Sequence, residues 1–170
     1  AGIDNGQERV ITAIDRAITD AGKENDVILL LENTAGEKNS VGSTITDLAR
    51  IREGVYVSER IGICFDTCHA FAAGYDLRTA DAVDEVFGEI EDLIGLDPLR
   101  VIHLNDSKGD LGSGLDRHEH IGLGAIGEEG FLHILRHPAV RDLPLICETP
   151  VDERRGDIGN IERVRELAGA

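Results

Sequence analysis

The sequence predicts an α/β fold built on a parallel sheet. Three observations predict it: four short, almost wholly apolar runs, amphipathic stretches between them, and a metal-ligating type of residue at the end of each run.

The elements follow in order. Val10, Ile11, Ile14, Ala17 and Ile18 recur at helical spacing, so a surface helix is expected over residues 6–21. Residues 27–31 are apolar without alternation, the pattern of a strand covered on both faces. The same alternation then repeats. A helix over 43–54 precedes a strand over 61–65, a helix over 79–94 precedes a strand over 99–103, and a helix over 128–136 precedes a strand over 143–147. A last helix is expected over 158–167. Four strands alternating with helices imply right-handed βα units, and no linker or low-complexity stretch divides residues 1–170, so a single domain is expected. The longest irregular stretch, 105–124, carries five glycines after the end of a strand, where loops of such folds are usually functional.

Seventeen Lys and Arg stand against 33 Asp and Glu, a formal charge of −16. That charge repels DNA at ordinary salt unless the binding face is locally basic. It also resembles the surface of proteins from a high-salt cytoplasm, where carboxylates maintain solubility and repulsion is screened; this is the reading adopted. No stretch approaches the roughly 20 apolar residues of a membrane span. The opening residues lack the basic and apolar regions of a signal peptide, so an intracellular, cytoplasmic protein is expected. The chain begins without Met and enters a helix at once, as a piece of a longer protein would. Cys64, Cys68 and Cys147 form an odd set in apolar surroundings, which argues for buried, reduced thiols rather than disulfides or a zinc knuckle.

Reading only the strand ends gives Glu32, then Asp66 with His69, then His103, then Glu148. The long loop adds Asp116 and His118, which face the same way when two residues apart in extended chain. Buried apolar strands seldom end by chance in this repertoire, and the set points to a metal site at one rim. Each residue also has a plainer reading: Glu32 as a loop cap, Asp66 and His69 as a helix start, His103 as a core histidine, Glu148 as a solvated strand end. His120, His133 and His137 are read as surface histidines. Residues 109–114 lack the ending of a phosphate-binding loop.

Five motifs then carry a family resemblance: Leu31-Glu-Asn-Thr-Ala-Gly36, Phe65-Asp-Thr-Cys-His-Ala-Phe-Ala-Ala-Gly-Tyr-Asp76, His103-Leu-Asn-Asp-Ser-Lys108, Leu115-Asp-Arg-His118 with Ile121-Gly122, and Cys147-Glu-Thr-Pro150. In order and spacing they resemble endonuclease IV. The resemblance implies a parallel (β/α)8 TIM barrel, of which this chain covers about the last four βα units, with three zinc ions on its rim. It implies Glu32 as the carboxylate bridging the first and second metals and orienting the attacking water, with Asp66, His103 and Glu148 on the second metal. His69, Asp116 and His118 resemble the third site. Two further histidines of the first site have no counterpart here, so at most two zinc ions are expected.

The implied reaction is hydrolysis, in base excision repair, of the phosphodiester bond 5′ to an abasic site in double-stranded DNA. Lys38, Arg78, Lys108 and Arg117 lie on the rim loops as candidate phosphate contacts. The isolated chain is expected to be inactive, and to need its missing N-terminal half or to self-associate. Two rivals stand beside this reading: a sugar isomerase or epimerase on a similar barrel, and a non-catalytic metal- or DNA-binding fragment.

Overall fold

A computed structural model describes residues 2–22 and 26–169 of the chain. In chain order the strands are β1 (Leu29–Glu32), β2 (Ile61–Asp66), β3 (Leu99–His103), β4 (Asp106–Ser107), β5 (His118–Glu119) and β6 (Leu145–Ile146). The helices are α1 (Ile3–Ala21), α2 (Ile45–Gly54), α3 (Thr67–Ala73), α4 (Ala80–Leu93), α5 (Gly127–Arg136) and α6 (Asp157–Ala168). The expected parallel sheet forms, in the order β1-β2-β3-β6. Every pair within it is parallel, so all four strands end at the same rim.

Burial explains which strand is central. All six residues of β2 are buried, with Ile61, Ile63 and Phe65 in one apolar cluster with Phe87 of α4 and Ile102 of β3. Phe65 and Phe87 meet with ring centroids 5.6 Å apart. Each such side chain stabilises the fold by about 1.5–3 kcal/mol through removal from water. The register shifts between Ile63 and Cys64, after which Asp66 pairs with His103. That irregularity aligns two chemistry-bearing strand ends.

The outer strands are shorter than the sequence suggests. β1 begins at Leu29 rather than residue 27, and Val27 is 65% exposed. β6 spans only two residues of the expected 143–147, because Pro144 has no N–H to give the ladder, although its carbonyl accepts from Ile102 N at 3.1 Å. The helix start that the sequence allows at Asp66 and His69 is also present. It is the helix α3, with Asp66 as its N-cap and Gly74 at φ 113° as its stop.

The long loop is more ordered than its glycines suggest. β4 and β5 pair antiparallel, with Asp106 opposite Glu119 and Ser107 opposite His118. The buried Asp106 carboxylate accepts from five backbone N–H groups, those of Ser107, Gly122, Gly124, Ile126 and Gly127, at 2.8–3.3 Å. One side chain thereby gathers the loop that presents His118. Among the described residues no helix is long and apolar enough to cross a membrane.

Candidate metal centre

Glu32, Asp66 and His103 are the last residues of β1, β2 and β3, and Glu148 follows β6 by two positions. Parallel pairing therefore delivers all four to one rim. A ligand atom from each lies within 4.8 Å of those of the others. His103 Nδ1 is 3.2 Å from Glu32 Oε1, 3.2 Å from Glu148 Oε2 and 4.0 Å from Asp66 Oδ2.

A second set lies beside the first. His69, Asp116 and His118 also bring ligand atoms within 4.8 Å of one another. His69 Nε2 and His118 Nε2 stand 3.3 Å and 3.6 Å from the same Asp116 Oδ1, and His118 Nε2 is 3.8 Å from Asp66 Oδ2. Backbone carbonyls fix both rings. His69 Nδ1 lies 2.9 Å from Asn33 O, and His118 Nδ1 lies 3.0 Å from Glu148 O. A carbonyl can only accept, so each Nδ1 carries the proton toward it, and a neutral ring turns the Nε2 lone pair into the site. Both Nε2 atoms are buried without a hydrogen-bond partner. Buried polar atoms are seldom left so, and a cation facing them and the Asp116 carboxylate accounts for both.

The electrostatics agree with a cation site in its metal-free form. Hydrogen bonding from His69 holds the Glu32 carboxyl below its ordinary range, opposed by burial and reinforced by the charge of His103. Burial pushes Asp66 up, while His69 and the hydrogen bond from Asn105 hold it back. Burial alone would lower His69, but its hydrogen bond to Glu32 and the charges of Asp66 and Asp116 raise it to about 9. His69 therefore holds a proton at neutral pH that a bound cation would displace.

The plainer reading of Asp66 is also true: its Oδ1 caps α3 by accepting from His69 N at 2.8 Å. Capping uses one oxygen and leaves Oδ2 for Asn105 Nδ2 at 2.7 Å and for the site. Sequence reasoning missed Asn33 and Asn105. Asn33 braces Asp66 through both of its backbone polar groups, and Asn105 Oδ1 accepts from Glu148 N at 2.8 Å. Their adjacency to Glu32 and His103 was the available signal. The cysteines are free; Cys64 and Cys68 are buried, and burial pushes their thiols up to about 12 and about 11.

The reading of three histidines as surface residues needs correction. His120 is fully buried rather than on the surface, with Nε2 3.0 Å from Asp152 Oδ1 and Nδ1 3.0 Å from Asn160 Nδ2. His137 is largely covered as well, stacked on Phe87 with centroids 4.6 Å apart; His133 is half-buried. Of the candidate phosphate contacts, Lys38, Lys108 and Arg117 are exposed, as is Arg78. The Arg78 guanidinium, however, is held by both oxygens of Asp76, at 2.9 and 2.7 Å. Its charge is already answered locally.

The sequence pattern of the xylose isomerase-like TIM barrel family matches residues 2–168. The chain belongs to that family. Within it the resemblance to endonuclease IV holds. A "Probable endonuclease 4" of Methanoculleus marisnigri is 75% identical over the whole chain, and one of Nitrosopumilus maritimus is 48% identical over 96% of it. The chain spans 60% and 59% of the length of these two relatives. The crystal structure of endonuclease IV from Thermus thermophilus is 36% identical with a TM-score of 0.69, over 84% of this chain and 49% of that one.

Proposed function

We propose that this chain carries the metal centre of an endonuclease IV-type enzyme, a zinc-dependent hydrolase that cuts double-stranded DNA 5′ to abasic sites. The observation that carries the reading is the pair of buried, unpartnered Nε2 atoms of His69 and His118. They face one carboxylate beside the cluster of Glu32, Asp66, His103 and Glu148. Imidazole nitrogens with carboxylate oxygens suit zinc, and three protein ligands in the second set leave the open position typical of a catalytic ion. A bound zinc ion lowers the pKa of water toward about 7 and neutralises phosphate oxygens.

The chain's own residues would do the rest. Glu32, held anionic and 3.2–3.3 Å from Nδ1 of His103 and His69, is placed to take a proton from an attacking water. The carbonyls of Asn33 and Glu148 keep His69 and His118 in the tautomer that points Nε2 inward. Lys38, Lys108 and Arg117 offer short-range phosphate contacts on a chain whose net charge of −16 repels DNA at long range.

The names of the relatives favour a nuclease over a sugar isomerase, and so does a second ligand set apart from the first. The test is an abasic-duplex nicking assay with zinc, run on this chain and on the full-length Methanoculleus relative. The relative is expected to nick, and this chain to bind zinc and nick far more slowly or not at all. A relative that leaves the duplex intact, or a chain that takes up no zinc, would overturn the reading.

A further inference from the structure

We infer that Asp152 and Arg154, with His120, are positioning residues for both ligand sets, locking the segment that carries Glu148 to the hairpin strand that carries His118. The inference rests on the metal-binding reading above. Glu119, His120 and Ile121 directly follow His118, and each is tied to chain beyond Glu148. The Glu119 carboxylate accepts from Arg154 Nη1 at 3.1 Å and Nη2 at 3.0 Å. Arg154 also grips Asp152, through Nε at 3.1 Å and Nη2 at 2.7 Å. Asp152 Oδ1 meets His120 Nε2 at 3.0 Å. Ile121 N donates to Asn160 Oδ1 at 3.2 Å, and Ile121 O accepts from Arg155 Nη1 at 2.7 Å.

The hydrogen bonds fix their own directions. Asn160 Oδ1 is engaged by Ile121 N, so its Nδ2 donates to His120 Nδ1, and His120 Nε2 must carry the proton given to Asp152. A neutral, fully buried imidazole thereby joins α6 to the loop behind Glu148. This matters for the metal sets because the segments that carry Glu148 and His118 meet directly at the ligands, His118 Nδ1 lying 3.0 Å from Glu148 O. The Glu148 side chain serves the first set and the His118 ring serves the second. Only Thr149, Pro150 and Val151 separate Glu148 from Asp152, in a segment without regular secondary structure. Releasing Asp152 or Arg154 therefore loosens ligands of both sets. Charge-assisted, bidentate bonds of this kind are geometrically specific, and groups that orient ligands typically change metal affinity by about 10–100-fold.

The experiment measures Zn2+ affinity of the full chain by competition with a chromophoric chelator. The variants are Asp152→Ala, Arg154→Ala and Asp152→Asn, with Val86→Ala as a core-destabilised control away from the rim. Asp152→Ala and Arg154→Ala are expected to weaken both zinc sites by about 10–100-fold. Asp152→Asn keeps an oxygen for the His120 Nε2 proton and is expected to lose less. Val86→Ala should bind as the parent does, since a change in fold stability alone does not alter the affinity of folded molecules. Arg154 is 43% exposed, so its replacement leaves a measurable folded protein even if Asp152→Ala does not fold. Parent-like affinity in Arg154→Ala, or a loss no greater than that of Val86→Ala, would overturn the inference. A parent chain that binds no zinc would instead overturn the metal-centre reading on which it rests.

Discussion

A methyl group at Gly124 has no room. An added Cβ would stand 2.4 Å from Ser107 O and 2.5 Å from Asp106 Oδ1, neither of which can move without breaking the five-fold N–H cradle of Asp106. Gly124→Ala is expected to cost about 1–3 kcal/mol of stability through overpacking, read as a lower denaturant midpoint. A parent-like midpoint would mean that the loop is not pinned there. The sequence exposes Gly124 only as one glycine among five in a loop, because its constraint comes from a carboxylate 18 positions away. His120 is opaque for the same reason: its partners, Asp152 and Asn160, are 32 and 40 residues distant. By contrast Glu32, Asp66, His103 and Glu148 are legible, since local strand patterning places each at a strand end and parallel pairing brings those ends together.

Among the elements, β3 is the one on which the first ligand set depends most, since His103 Nδ1 lies within 4.0 Å of all three of its carboxylates. His103→Ala leaves three carboxylates in close mutual repulsion and is expected to abolish zinc binding at that set. His69, Asp116 and His118 keep their positions, so the second set is spared. Metal analysis should fall from two zinc ions per chain to one; three in the parent would mean that the ligand assignment is wrong. The β4–β5 hairpin was not legible in the sequence as an element, and α3 was legible only as a helix start at Asp66 and His69, without its extent. Each is short, and what orders them is the local cap by Asp66 for α3 and the long-range bonding of Asp106 for the hairpin loop, rather than local periodicity.

The hairpin and the loop behind Glu148 are also linked through charge, and the linkage has a sign. Arg154 is a leading cause that holds the Asp152 carboxyl well below its ordinary value of 3.8, and with His120 N it outweighs burial to hold Glu119 below 4.5. A carboxylate with a depressed folded pKa contributes stability that is fully present above its unfolded value and is lost as pH falls through the folded one. The chain should therefore lose stability from about pH 5 downward. Arg154→Ala should flatten that dependence while lowering stability at neutral pH. Urea midpoints across the acid range provide the check, and identical slopes for parent and variant would contradict it.

At the scale of the whole molecule, two opposing forces act on the same surface. β1 and β6 each have only one neighbour in the sheet, so their outer edges leave backbone groups unpaired by any described strand. Apolar side chains are exposed near both edges, Val27 and Ile28 beside β1, and Ile146 and Val151 at and after β6. Edge pairing and apolar burial favour association of the isolated chain, whereas a formal charge of −16 on 170 residues opposes it. Salt acts on only one side of this balance in the unfavourable direction: raising it from about 0.1 to about 1 M shortens the screening length from about 10 to about 3 Å and removes most of the repulsion. Apolar burial is not weakened by that change. The chain is therefore expected to self-associate more strongly as salt rises, the reverse of a protein held together by ion pairs. Sedimentation velocity at micromolar concentration across a salt series measures it. A chain that stays monomeric throughout, or that dissociates as salt increases, would show that the two edges are not the adhesive surfaces.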